Sequence, residues 1–469
     1  MTIPQIYKQL RFKVMKKRDK RKEEKDLEIK NPNAAGIDIG ASLHYVAVSE
    51  NKDSKPIREF GATTQDLEEI VKWLTSLGIT TVAMESTSIY WIPLYDMLEA
   101  AGIEVILVNA KHLKNVSGRK SDVTDCEWLR KLHTYGLLNR SFIPNELTRK
   151  LRSYVRQRGS METLKAKDLT RIGMALHTMN IKLQNIVSSL EGVSSMEIIR
   201  AIVSGEHSTE ELVKYWKKQM KASRDTARRA LEGNYKEENI FILGQTLSSY
   251  DFHRSQMLEC EHKIEEVLKQ MSSISVNKQD IVIDKKDVSN KKKRKARKNE
   301  YHFDAVEYLN EITGVDLTAV DGFDVNTILE ITSETGTDLS KFPTSKHFVG
   351  WLRLCPNPRI SGGKIIGYKK NTSSSRAAKA FRLAAQALHS SKSYLGYIFR
   401  KIAYKRGNPV AIKAVARKLA IIFYNMITKR QEYNRLDIEE MNKKNEKVIL
   451  NNLEKKAKNL GYKLVKEAA

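Results

Sequence analysis

Four acidic residues stand where a chain could use them for phosphoryl chemistry. Asp38 closes the apolar run Ala34–Ile39, within Gly36-Ile37-Asp38-Ile39-Gly40. Glu85 follows the run Thr81–Met84, within Ala83-Met84-Glu85-Ser86-Thr87. Asp122 and Asp125 lie at i and i+3 in the stretch Asp122–Tyr135, which reads as a helix, so both share one face. Carboxylates of this kind suit hard divalent cations, Mg2+ first and Mn2+ as a substitute. Two such ions ~4 Å apart activate an attacking water or hydroxyl and stabilise the leaving oxygen of a phosphodiester. Taken singly, each acid has a plainer reading. Asp38 would cap a turn, Glu85 would be an ordinary rim residue, and Asp122 or Ser121 would be a helix N-cap. Convergence is what sets them apart, and it requires the first and fourth strands to be neighbours.

The surrounding pattern supplies such elements. Over 34–146 the strands are Ala34–Ile39, His44–Ser49, Ile57–Ala62, Thr81–Met84 and Glu104–Val108. Thr64 is the expected N-cap of a helix with Asp66, Glu68 and Glu69 in its first turn and an apolar stripe through Leu67, Ile70, Val71 and Leu74. Trp91–Ala101 and Asp122–Tyr135 are the other helices, closed by Gly102 and Gly136. Three strands, helix, strand, helix, strand, helix is the order of a mixed sheet with hairpins at one edge and parallel crossovers at the other.

The chain as a whole is strongly basic: 82 Lys and Arg against 56 Asp and Glu among 469 residues leave a formal charge of +26. That excess favours an extended polyanion, nucleic acid above all. No apolar run nears the ~20 residues that span a bilayer, and the charged amino terminus does not resemble a signal peptide, so no membrane partner is expected. Cys126, Cys260 and Cys355 are far apart and form no CxxC pair, which argues against a disulfide framework or structural zinc and for a reducing, cytoplasmic setting.

Beyond the acids the chain divides by composition. Residues 1–33 are a basic leader and 273–300 a basic linker centred on Lys291–Lys298; each is read as a solvated tail or a nucleic-acid arm. Residues 147–272 are helical. Leu169, Ile172, Leu176, Met179, Leu183, Ile186 and Leu190 are spaced three, four, three, four, three, four, the seam of a coiled coil. A weaker seam runs through Leu247, Tyr250, Met257, Ile264, Leu268 and Met271. The two would pair within one chain or between chains. Residues 301–430 form a mostly helical domain, with helices over 303–312, 326–333, 345–354, 375–391 and 410–428 and a turn-rich stretch over 356–371; a lysine-rich tail, 431–469, follows. Within the turn-rich stretch, Ser361-Gly362-Gly363-Lys364 would let backbone approach a phosphate closely, with Arg359 and Lys364 beside it. On residue chemistry alone this is a plain turn, and Ser373, Ser374 and Ser375 are rival hydroxyls that look like the N-cap of the next helix.

Gly36–Gly40, Met84-Glu85-Ser86-Thr87 with Tyr90-Trp91, and Gly118-Arg119-Lys120-Ser121-Asp122-Val123-Thr124-Asp125 together resemble the RuvC-like domain of DEDD transposases, the insertion-sequence recombinases of which some are guided by a bridge RNA. The similarity continues through Trp128-Leu129, Gly136-Leu137-Leu138 and Phe142-Ile143-Pro144, and resumes from Ile312–Asp316 through Phe348 to Ala384. The resemblance implies an α/β, RNase H-like (RuvC-like) nuclease domain over 34–146, a helical coiled-coil arm, and a helical transposase domain. It implies a metal site of Asp38, Glu85, Asp122 and Asp125, and Ser361 as a nucleophile forming a covalent phosphoserine link to DNA. Arg119, Lys120, Arg359 and Lys364 would contact nucleic acid. DNA ends and target, a structured guide RNA, and a homodimer or tetramer near the prokaryotic nucleoid are the implied partners and setting. The sequence departs from the family at Val320-Asp321-Gly322-Phe323-Asp324, which keeps one glycine where a helix–hairpin–helix turn has Gly-Ile-Gly, and at the basic block 291–298. Two other classes stay open: a hydrolytic RuvC-like nuclease or junction resolvase using the metal site alone, and a transposase-derived nucleic-acid-binding protein that no longer cuts.

Overall fold

The computed structural model describes residues 28–109, 122–217, 220–277, 300–368, 375–434 and 450–463 except 452, with the side chains at 122–124 and 276–277 outside the description. The leader block Lys16–Lys22, the run 110–121 with Arg119 and Lys120, and the basic block 291–298 lie outside the described residues. The chain forms two compact units, Met1–Ile143 and Pro144–Ala469.

The first unit is built on strands β1 (Ala34–Ile39), β2 (Leu43–Ala47), β3 (Ile57–Gly61), β4 (Thr81–Glu85) and β5 (Glu104–Val108). They form one sheet in the order β3-β2-β1-β4-β5. β1, β4 and β5 run parallel, and β2 is antiparallel to both β1 and β3. This mixed five-strand sheet fits an RNase H-like domain, and it makes the first and fourth strands neighbours, as convergence of the acids requires. Helix α1 (Thr64–Ser76) begins one residue earlier in its capping than expected. Thr63 is the N-cap: its hydroxyl accepts from the Asp66 amide at 3.4 Å, and the Asp66 carboxylate accepts from the Thr63 amide at 2.9 Å. The reciprocal box needs the acid three positions after the cap, with two residues between them, which Thr63 satisfies and Thr64 does not.

The two faces of the sheet are used differently. Ile37, Ile39, Val82, Met84, Val105 and Leu107 share an apolar core with α1 and α2 (Trp91–Ala100). Side chains alternate along a strand, so Gly36 and Asp38 of β1 and Thr81, Ala83 and Glu85 of β4 belong to the opposite face. Helix α3 (Asp122–Thr134) covers that face with buried Cys126, Leu129 and His133, spaced along one helical stripe.

The second unit is helical. Helix α4 (Glu146–Thr178) ends where the first heptad seam continues. Asn180 sits in the left-handed region, φ 61°, and breaks the helix. The expected coiled coil over 169–190 is therefore not one helix: Met179, Leu183 and Leu190 join a globular core with Ile172, Leu176 and residues of α5 (Leu183–Ile186), α6 (Val193–Val203), α7 (Thr209–Leu212) and α8 (Arg224–Leu231). The second seam lies on one helix, α9 (Glu237–Asn277), and all six of its residues are buried. α4 and α9 pack along each other within the chain. α9 also carries five residues into the stretch expected to be linker.

α10 (Ala305–Thr313), α11 (Val325–Thr335), α12 (Ser345–Trp351), α13 (Arg376–Ala387), α14 (Tyr394–Arg406) and α15 (Asn408–Lys429) complete the unit around Phe348, Phe381 and Phe423. α14 was not expected. Nor was the two-stranded sheet of β6 (Pro358–Ser361) and β7 (Lys364–Tyr368) inside the stretch read as turns.

Candidate active site

Register alone places two of the acids together. Ile37 of β1 is level with Met84 of β4, so the next residues, Asp38 and Glu85, stand side by side at the carboxyl ends of two parallel strands and on the same face. Both are partly buried. The Thr87 hydroxyl donates to Glu85 Oε1 at 3.3 Å and steadies its carboxylate from the turn that follows β4.

Helix α3 reaches this face because β1 has no side chain at position 36. A Cβ on Gly36 would collide with the Cys126 carbonyl oxygen and the Arg130 amide, both backbone, so helix and strand touch main chain to main chain. The far end of α3 is tied down by His133, whose ring nitrogen lies 2.9 Å from the Thr81 hydroxyl at the start of β4. Lys30 and Asn31 amides donate to the Thr134 carbonyl at 2.9 and 3.0 Å, capping the last turn. With its carboxyl end held at the start of β4, α3 runs back along the strands and brings its first turn to their carboxyl ends. Asp125 is partly buried one residue before Cys126. The Cys126 thiol is pushed up to about 12, by burial first and then by the charge of Asp38. That thiol therefore stays neutral. Asp122 is the first residue of α3; its side chain lies outside the described residues.

The donors so placed are all carboxylate oxygens, the set that hard divalent cations prefer. Asp38, Glu85 and Asp125 do not appear as a three-ligand cluster within 4.8 Å; among the described residues His262, Glu265 and His302 do, a group that the sequence reading missed because His302 lies far along the chain from the other two.

Ser361 ends β6 at the tip of the β6–β7 hairpin and pairs with Lys364. Gly362 and Gly363, φ 53° and 76°, form the two-residue turn between them, a conformation in which both central residues need positive φ. Ser361, Arg359 and Lys364 are exposed, and so are Ile360, Ile365, Ile366 and Tyr368. Of the rival serines, Ser375 caps α13, accepting from the Ala378 amide at 3.1 Å; Ser373 and Ser374 lie outside the described residues. Gly322, φ 90°, turns the chain against the Ala384 carbonyl and the Leu388 side chain, and Asp324 then caps α11 through the Thr327 amide at 2.8 Å. The single glycine at 320–324 thus serves a packed turn between helical segments.

No helix among the described residues is long and apolar enough to cross a membrane. No curated protein matches the chain. Two family models do: a transposase model of the DEDD, IS110 type matches residues 35–180, and one described as transposase IS116/IS110/IS902 family matches residues 316–397. The first spans β1 to the end of α4 and contains all four acids; the second contains the hairpin and Ser361. The chain belongs to the IS110-type family of DEDD transposases.

Proposed function

We propose that this transposase cuts and exchanges DNA strands with Asp38, Glu85, Asp122 and Asp125 holding divalent metal, Mg2+ or Mn2+, and with Ser361 as the nucleophile. The observation that carries the reading is the pairing of Asp38 with Glu85 on adjacent parallel strands, on the one face that Gly36 opens to the helix bearing Asp122 and Asp125. When bound, the metal supplies charge for the phosphate and the leaving oxygen. The four carboxylates fix where that charge sits. Ser361 Oγ attacks phosphorus and gives up its proton, the strand's own oxygen leaves and takes a proton, and the phosphodiester is kept as a phosphoserine that a strand hydroxyl can attack in reverse. Arg359 and Lys364, on the same hairpin, neutralise the phosphate as it crowds. The +26 charge supports binding of DNA ends and target; a structured guide RNA rests on the family resemblance alone, and the charge permits it. Exchange of two strands calls for more than one such chain, a dimer or tetramer.

The test is covalent trapping. Purified protein, Mg2+, labelled DNA spanning the element ends and co-purified RNA are resolved on a denaturing gel beside Ser361→Ala and Asp38→Ala. A protein–DNA adduct absent from both variants is the expected result. Metal-dependent cutting without an adduct, unchanged by Ser361→Ala, would replace this reading with a hydrolytic nuclease. Binding without any metal-dependent product would leave a non-cleaving descendant.

A further inference from the structure

We infer that His262, Glu265 and His302 form a second metal site, for a borderline-soft divalent ion of the Zn2+ class, independent of the four acids. His262 and Glu265 lie at i and i+3 on α9, and His302 precedes α10 on the segment that follows the basic block. A ligand atom from each lies within 4.8 Å of the others, and the two imidazole rings stand 4.3 Å apart, centre to centre, at 65°. Around a tetrahedral ion with bonds of ~2.0–2.1 Å, ligand atoms are about 3.4 Å apart. Closing onto an ion therefore asks only for small side-chain rotations.

Three further details prepare the site. His302 Nδ1 lies 2.9 Å from Glu261 Oε2, which also accepts from the His302 backbone amide at 3.0 Å. An ionised carboxylate only accepts, so Nδ1 donates in this contact and Nε2 is the nitrogen left to bind an ion. Glu261 is almost fully buried and held by Arg158 at 2.7 Å, so the ring's orientation is fixed from beneath. This carboxylate–histidine arrangement is the outer shell that metal-bound histidines use. On Glu265, the bonds from Tyr308 Oη at 3.2 Å and Lys269 Nζ at 3.0 Å both fall on Oε1, which leaves Oε2 for an ion. Two nitrogens and one oxygen suit zinc and its late first-row neighbours, whereas Mg2+ prefers the all-oxygen acids. Three protein ligands leave a fourth position for water. Such an ion would clip α9 to the segment leading into α10, so that its binding energy adds to the stability of that junction.

The test uses the full-length chain without a polyhistidine tag, stripped with chelator and titrated with Zn2+ against a chromophoric competitor, then with Co2+ for its visible absorption. His262→Gln, which changes an exposed residue, and His302→Gln are compared with Asp38→Asn, each checked for native circular dichroism. Expected are stoichiometric zinc and a tetrahedral cobalt spectrum in the wild type and in Asp38→Asn, with affinity at least ~10-fold weaker in each histidine variant. Absence of stoichiometric zinc from the wild type, unchanged affinity in folded His262→Gln, or loss confined to Asp38→Asn would overturn the assignment. Because Asp38→Asn disables only the acid site, failure of one site is distinguishable from failure of the other.

Discussion

The two places that carry the proposed chemistry are built in opposite ways. The acids sit on a five-strand sheet, between strands whose register is fixed by hydrogen bonds and beneath a helix pressed main chain to main chain at Gly36. Ser361 sits at the tip of an isolated two-strand ribbon whose isoleucines and tyrosine face solvent. A two-strand hairpin without an apolar partner is marginal by itself. The contrast teaches that Asp38 and Glu85 are held in place by the sheet itself, and that the hairpin leaves apolar surface exposed.

Substitutions can sharpen that contrast or break it. The largest effect is expected from Asp38→Asn and Glu85→Gln. Each should lower the single-turnover rate of adduct formation by about three orders of magnitude, ~4 kcal/mol in the barrier, with the melting temperature nearly unchanged; a loss under tenfold would remove the acids from the mechanism. In the second unit, Arg158→Met strips the guanidinium from Glu261, which is 1% exposed and keeps its contacts with His302. Breaking a buried pair in this way costs about 3 kcal/mol, and denaturant unfolding should show it in the second unit alone. Gly36→Ala comes next. The added methyl must move α3, at a cost of about 2 kcal/mol, and activity should fall with stability. Gly363→Ala is the matched change in the hairpin. It costs about 1 kcal/mol of local strain and should leave the global transition where it was; equal melting shifts for the two glycines would erase the distinction drawn between the sites.

The smallest effect is a pH dependence in the first unit. Burial holds His44 and His133 below the ordinary histidine range. A lowered folded-state value means the unfolded chain binds protons first. Stability is therefore full above about pH 6.5 and declines as the pH falls through and below it. His133→Gln should flatten this slope in a melting series between neutral and mildly acidic pH.

What the sequence made legible follows the range of the interactions. β1, β4 and α3 are announced locally, by apolar runs and by Gly136 at the end of α3, so Asp38 and Glu85 could be placed on strand ends before any contact was known. The heptad spacing over 169–190 misled, because the same three-four spacing serves any helix packed against a core and says nothing of the left-handed break at Asn180. That signal was present in Asn180 itself. The β6–β7 hairpin was hidden by prolines at 356 and 358, which argue for turns, although Gly362-Gly363 between isoleucines is a recognised hairpin sign. The His262–Glu265–His302 group was not legible at all. Its third member is brought in by tertiary folding across a long intervening stretch, and no local pattern encodes that return.

Gly36 also separates two properties that are coupled in most enzymes. Because α3 meets β1 through backbone, the gap between the helix-borne and strand-borne acids is a fixed ruler rather than the sum of packed side chains. The apolar core lies on the other side of the sheet. Sequence drift there, Ile37→Val or Met84→Leu for instance, should change how well the unit survives heat while leaving the gap between the acids as it is. Copies of such an element spreading into hosts with different growth temperatures could then adjust durability on one face of the sheet without retuning the chemistry on the other.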